Sequence, residues 1–372
     1  MHRSHHFHFL KNREMNELYL SVAIRSFALS MIGIFIPIYL VEIGYSSYEV
    51  LAFFAVFSIV HALFVLPAAK ISSRFGFKHG ILGSIPLLII FILGMYNLEQ
   101  MGWLFYWLAV ILGASGALYW VGYHIDFSMF SDKENRGKEV GLARVLFLVF
   151  HVAGPIAGGF ILAVTNFSTL FLIVVGLLFL SAMPLFLSKD VHTPILISIR
   201  EIFRGQSLRN VITFLGHGIE SGINLVIWPI FIFYAIANDF TALGFISSLS
   251  LLFSLLFVFI VGRFSETYRR LIMHVGAFIN ALVWGLRFLA RTMMQVVVID
   301  SIYGISQTMI RVPFDAISYE KANQDSIVRF IVFREMTIHT GRTIMFIAAM
   351  FLASLSSTFT WGGAGSLLYL LF

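Results

Sequence analysis

Twelve apolar runs of membrane-spanning length follow one another along this chain, separated by short polar breaks. A helix needs about 20 mostly apolar residues to cross a bilayer. The runs fall at roughly 17–42, 47–69, 80–97, 101–122, 140–163, 167–187, 209–236, 241–262, 271–291, 295–312, 328–353 and 358–372. They do not alternate apolar with polar residues, so they are not the strands of a transmembrane barrel. With 59% of its 372 residues hydrophobic and 12% charged, the chain has too little polar surface to cover a water-soluble core. Disordered chains are poor in apolar residues, which excludes disorder as well. The expected class is an all-α integral membrane protein of about twelve transmembrane helices. The first run has span length and no small-residue cleavage site, so it reads as an uncleaved helix. The last, FTWGGAGSLLYLLF, is short, and either is cut off or does not fully span.

The cations sort to one side of these spans. Lys70, Arg74, Lys78, Lys133, Arg136, Lys138, Lys189, Arg200, Arg204, Arg209, Arg263, Arg269, Arg270, Lys321 and Arg329 flank the ends of even-numbered spans. Arg3, Lys11 and Arg13 precede the first. The opposite loops offer Arg291 beside Glu42, Glu99 and Asp239. Because loops rich in Lys and Arg stay in the cytoplasm, the N-terminus and every even-numbered connection are expected there, in a plasma (inner) membrane.

The longest polar interruption, SKDVHTPILISIREIFRGQSLRN, separates spans six and seven. Its ILISIREIF core suits a short amphipathic helix on the cytoplasmic face. The expected organisation is therefore a six-helix bundle over 1–188, a linker over 189–207 and a second six-helix bundle over 208–372. Weak internal likeness supports a duplication. Asp126 precedes Arg144 by eighteen residues, and Asp315 precedes Arg334 by nineteen, at corresponding places in the two halves.

Six plus six spans with a basic connection between the second and third resemble the major facilitator superfamily of secondary transporters. The loop pattern of that family, G-x-x-x-D-R-x-G-R-[RK], is matched here by Arg74, Gly76 and Lys78, while Ala69, Ser73 and Phe77 replace its Gly, Asp and Arg. The second half keeps Gly262 and an acid, Glu266, before Arg269 and Arg270. The fifth span carries Gly154, Pro155, Gly158 and Gly159, similar to the GPxxGG core found in drug–proton antiporters of the family. Gly141 lies at the matching distance upstream, and Phe150 stands where a further Gly is expected. The resemblance implies two pseudo-symmetric bundles that alternate access to a central site.

These motifs also have a direct physical reading. A short cationic loop can latch two neighbouring helix ends, or simply orient the chain. Small residues around Pro155 either form a hinge or let helices pack closely.

Ionisable groups inside the spans are costly, about 2.5–3.5 kcal/mol each at a helix centre, so they mark function. In the seventh span Thr213, His217, Glu220 and Asn224 are spaced four, three and four residues apart and form one stripe. Glu220 lies eleven residues into its helix, about 16 Å deep. Gly216, Gly218 and Gly222 surround it and permit local unwinding. The tenth span offers Asp300, Gly304, Gln307 and Arg311, the fourth Ser115, Tyr119, Tyr123 and Asp126, and the first Ser21 and Arg25. In the resembled family these four helices line the cavity.

Arg25, Tyr119, Tyr123, His217, Glu220, Asn224 and Gln307 are accordingly the candidate cavity residues. Glu220, with no cation within a turn on its own helix, is the expected proton-coupling carboxyl, followed by Asp300 and Asp126. Two alternatives stay open: a pairing of Glu220 with Arg25, and a wetted structural role for Asp300 near the outer face. In the eleventh span Glu335, His339 and Arg342 share one face, as an ion-paired strut or as part of the gate. The gating set is Arg74, Gly76, Lys78, Gly154, Pro155, Gly158, Gly159, Glu266, Glu335 and Arg342.

His61 and His151 read as isolated histidines satisfied by neighbouring helices, and His2, His5, His6 and His8 as part of a polar tail. No nucleotide loop, dinucleotide fingerprint or zinc-protease pair occurs, so neither an enzyme nor a bound cofactor or metal is expected. The leading expectation is a monomeric, proton-coupled exporter of small amphipathic compounds. The alternatives are a symporter or uniporter for a small polar or anionic solute, for which Arg25, Asn224 and Gln307 are suited, and a lipid-handling or sensory protein on the same fold.

Overall fold

Sequence punctuation accounts for most of the helix ends. The structure, a computed structural model, describes the backbone of residues 13–130, 136–186, 198–324 and 326–372. The N-terminal histidines and Lys133 lie outside the described residues, as do the side chains of Arg136, Lys138, Gly141, Arg144, Arg263 and Glu266. Helix α1 (Arg13–Ile32) breaks at Gly33 and resumes as α2 (Ile36–Glu42), which carries Pro37 in its first turn. Ser46 starts α3 (Ser47–Phe75) with a capping box: its hydroxyl accepts from the Glu49 N–H, and its own N–H donates to the Glu49 carboxylate at 2.8 Å.

A single residue, Gly76, separates α3 from α4 (Phe77–Tyr96). Its φ of 114° is open to glycine and strained for any side chain. Helices α5 (Phe105–Phe130), α6 (Arg136–Val164) and α7 (Phe167–Ala182) follow. In the linker, a second capping box between Ser198 and Glu201 starts the short α8 (Ile199–Phe203) where an amphipathic helix is expected.

Helix α9 (Leu208–Gly222) does not unwind at its glycines. It widens into a π-helical turn over Ile223–Ile227, next to Gly222, and continues as α10 (Trp228–Ile232). The expected spans 241–262 and 271–291 form one element, α11 (Phe240–Arg287), bent at Tyr268 (φ −123°, ψ 36°) instead of interrupted by a loop. Then come α12 (Met293–Gln324), α13 (Ile327–Ala349) and α14 (Thr358–Leu367), the last extended by a 3-10 turn to Leu371.

Among the described residues there is no strand, and nine helical stretches are long and apolar enough to cross a membrane. Helix α13 falls outside those nine because it carries Arg329, Arg334, Glu335 and Arg342, and α14 because it is short. The chain is an all-α, multi-pass membrane protein.

Close backbone approach through small residues holds the helices together, as expected where lipid supplies no hydrophobic drive between them. On α6, Gly154 lies against Ser30 and Met31 of α1, Gly158 against the Met31 carbonyl, and Gly159 against Phe240 of α11, whose Gly244 meets the Pro155 carbonyl. The Gly154–Gly159 segment thus has the geometry of helix packing on both sides. On α9, Gly218 meets the Ile338 carbonyl of α13, and Gly216 faces Gly365 of α14. Two long contacts join helices from before residue 189 to helices from after 207: α3 with α13, and α6 with α11.

Candidate functional site

The stripe on α9 faces a set of polar groups from later helices. Glu220 is fully buried. Its Oε1 accepts from Gln307 Nε2 at 2.9 Å, Tyr303 Oη at 3.0 Å, and Trp284 Nε1 and Asn280 Nδ2 at 3.3 Å each. Its Oε2 has no hydrogen-bond partner. Asn280 is fixed in turn by donating to Ser366 and accepting from Ser306. All the donors to Glu220 stand on α11 and α12, so the carboxyl points into the packing of the later helices and not toward α1 or α5. The alternative pairing with Arg25 does not occur.

Gln307 relays this carboxyl to a cation. Its amide donates to Glu220, and its Oε1 accepts from Arg311 Nε at 3.2 Å. Arg311 Nη1 also donates to His217 Nε2 at 2.9 Å. A guanidinium can only donate, so His217 is neutral with its proton on Nδ1, which donates to Tyr369 Oη. A continuous chain runs Glu220–Gln307–Arg311–His217–Tyr369. The same Arg–His–Tyr arrangement recurs between α5, α12 and α13. There Arg334 Nη1 donates to His124 Nε2 at 2.9 Å, and His124 Nδ1 to Tyr319 Oη at 2.7 Å.

Asn224 and Asp300 belong to a different cluster. Arg287, 0% exposed, pairs with Asp300 at 2.9 Å and donates to Asn224 Oδ1 at 3.1 Å. Its guanidinium carbon lies 4.1–4.3 Å from the ring centres of Trp284, Trp228 and Tyr303. Trp228 Nε1 donates to the Asp300 carboxylate. Asp300 is therefore buried and ion-paired, which removes the wetted carboxylate suggested by its place near a helix end. Aromatic faces can hold a desolvated guanidinium, and their number here explains why Arg287 tolerates full burial.

Among the earlier helices Arg25 is buried with its guanidinium 3.4 Å above the Tyr119 ring, which stacks in turn on Tyr123. Asp126 is buried one turn further along α5. Among the described residues, no carboxylate lies within ion-pair distance of Arg25, Arg311 or Arg342. Arg342 donates to Ser221 Oγ at 3.1 Å and feels the charges of Arg311, Glu335 and Glu220.

In the gating set, Glu335 is bound by Arg334 at 3.2 Å and not by Arg342, and Arg334 also pairs with Asp315 at 2.7 Å. His61 is not isolated: it stacks on His339 and approaches Glu335. Arg74 is exposed at the end of α3 beside the Phe75 ring, while Lys78 is buried.

Arg287, Asn280, Trp284 and Tyr303 carry no helical-spacing signal linking them to Glu220, because each stands on another helix. The signal available for Arg287 is an arginine inside an apolar run thirteen residues before an aspartate, across the α11–α12 turn.

No curated protein matches the sequence. Among solved structures the fold is similar to that of the human organic anion transporter MFSD10 (TETRAN), at 12% identity and a TM-score of 0.69, over 97% of this chain and 99% of that one. A likeness at that identity shows the fold alone. The family profile described as Major Facilitator Superfamily matches residues 18–208, a little over half of the chain. The chain belongs to the Major Facilitator Superfamily.

Proposed function

We propose that the protein is a secondary transporter that moves a small organic anion together with a proton, by alternating access between bundles formed by residues 1–188 and 208–372. The observation that carries this reading is the set of arginines, Arg25, Arg311 and Arg342, buried or half-buried and without a carboxylate partner. A buried cation without a counterion is costly unless a ligand brings the charge. An anion bridging such guanidinium groups makes charge-assisted hydrogen bonds in bidentate geometry. The structurally similar MFSD10 is an organic anion transporter, which agrees.

Proton coupling follows from the Glu220–Gln307–Arg311 chain. An anion at Arg311 and an ionised Glu220 repel each other through one amide. Protonation at the unpartnered Oε2 removes that repulsion. By linkage, the proton and the anion then favour each other's binding, which gives symport. Proton-coupled export of small amphipathic compounds, expected from the GPxxGG-like segment, would instead make proton and substrate compete, and for a cationic compound the arginines would oppose binding. The cationic loop ends, Arg74 among them, support an orientation with the N-terminus in the cytoplasm of a plasma (inner) membrane.

The test is uptake into proteoliposomes of a panel of small carboxylates and phosphate esters, with and without an inward proton gradient. Anion uptake stimulated by the gradient is expected. Arg311→Gln is expected to raise the KM about ten- to a hundredfold, the worth of a lost charge-assisted contact. Proton-driven release of an amphipathic cation, with no anion flux, would overturn the reading.

A further inference from the structure

His61 of α3 is fully buried between helices. It is 0% exposed, and neither ring nitrogen has a hydrogen-bond partner among the described residues. Its Nδ1 edge backs onto Gly116 of α5, so Nε2 faces the other way, 3.8 Å from Oε2 of Glu335 on α13. One turn further along α13 is His339, 2% exposed, whose Nδ1 is also without a partner. The His61 and His339 rings stack with centroids 3.4 Å apart and planes 7° from parallel, and Phe57 closes the side of the pair edge-on. Three buried polar groups converge here, and hydrogen bonding uses up only one oxygen of the carboxylate, the one held by Arg334.

One ligand atom from each of His61, Glu335 and His339 lies within 4.8 Å of the others. The geometry points to a divalent transition-metal site at this place, built from two imidazoles and one carboxylate and bridging α3 to α13. Two histidines with one carboxylate are a donor set for a borderline cation such as Zn2+, with a fourth position open to water. Bonds of about 2.0–2.2 Å require the ligand atoms to close inward by about 1 Å and the two imidazoles to turn out of their parallel stack, so that their in-plane lone pairs converge. The charge suits a cation. Asp315 neutralises Arg334, which leaves the charge of Glu335 for the metal, while Arg342 near His339 and the bare His61 Nδ1 limit the affinity.

The position gives the ion a consequence. Helices α3 and α13 belong to opposite bundles in the alternating-access reading, so an ion held between them pins the bundles in this conformation. That consequence rests on the transport reading; the binding does not.

The experiment uses the full chain with His2, His5, His6 and His8 replaced by Asn, so that the histidine-rich tail cannot bind metal. Co2+ is titrated into the detergent-purified protein and followed by its visible ligand-field bands, with Zn2+ as competitor. One Co2+ per chain, displaced by Zn2+, is expected. His61→Gln and His339→Gln should each weaken binding about tenfold or more, as even the loss of an outer-shell partner does. If one variant fails to elute as a folded protein, the other carries the test. Zn2+ should arrest transport in proteoliposomes by the parent and spare His61→Gln. Absence of Co2+ binding, or binding unchanged in both variants, overturns the site. Binding that leaves transport unaffected overturns the pinning and leaves the transport reading standing.

Discussion

At Glu220 the four hydrogen-bond donors crowd one oxygen and leave the other without a partner among the described residues, and in the proposed cycle that second oxygen takes the proton. Glu220→Gln keeps the shape and the acceptor oxygen but cannot titrate. It is expected to abolish stimulation of anion uptake by a proton gradient while leaving exchange of anion for anion, which counterflow in proteoliposomes measures. Arg287 is the opposite kind of charge: its Nη2 is held by Asp300 and Asn224, and its guanidinium lies against three aromatic rings. Arg287→Ala strands Asp300 in a dry site, and removing one member of a buried pair costs about 3–5 kcal/mol. The expected readout is a large fall in thermal stability, partly recovered in Arg287→Met combined with Asp300→Asn. The sequence shows Glu220 clearly, since helical spacing lines it up with Thr213, His217 and Asn224. It hides Arg287, because a cation four residues from Arg291 looks like the basic end of a span, and two of its three aromatic partners, Trp228 and Tyr303, come from other helices. Asn224 illustrates the limit of stripe reasoning. It shares the face of Glu220 yet is taken by Arg287, since the π-helical turn that begins at Ile223 shifts the register just beyond Gly222.

Helices are legible where residues punctuate them and less so where packing decides. Ser46, Gly76 and Ser198 mark ends that a reader of the sequence can place. The junction of spans eight and nine is not one of these: its polar run, with Glu266, Arg269 and Arg270, suggests a loop, yet the backbone stays helical and bends at Tyr268. Charged residues are good helix formers, so polarity ends a span without ending the helix. The glycines of α9 mislead in the same way. They mark where the Ile338 carbonyl and Gly365 come close, and not where the chain unwinds. Gly218→Leu puts a side chain into the α13 backbone, which side-chain rearrangement cannot relieve. It is expected to cost at least the 1–3 kcal/mol of ordinary overpacking and to lower the yield of folded protein in detergent, read by size-exclusion chromatography. Arg74, by contrast, is exposed at the end of α3 with no carboxylate beside it among the described residues. Arg74→Ala is expected to slow transport at equal membrane abundance if the α3–α4 loop latches a conformation. Equal transport rates would leave Arg74 an orientation signal.

At the scale of the whole molecule, a group of polar contacts lies at the end that the charge pattern assigns to the cytoplasm. There α5 meets α12 and α13 through His124 with Tyr319, Arg334 with His124, and Asn323 Nδ2 donating to Ser128 Oγ at 2.9 Å. Each of these bonds joins a helix from before residue 189 to one from after 207. They are few and polar, whereas α3 with α13 and α6 with α11 run together over long faces. In an alternating cycle the long faces must shift against each other, and the polar contacts are the ones that must break for this end to open. The chain contains no cysteine, so a pair introduced here is the only thiol chemistry in the protein. Ser128→Cys with Asn323→Cys, joined by a short bis-methanethiosulfonate linker that a reductant cleaves, tests the idea directly. Linking is expected to stop transport, reduction to restore it, and each single cysteine with the same reagent to leave the rate unchanged. The reasoning is geometric: two side chains in contact across the bundles cannot separate once tethered, and a carrier that cannot open one end completes no cycle. A tethered protein that transports at the parent rate would show that Ser128 and Asn323 need not separate in the cycle, and would overturn the assignment of this contact as one that must break.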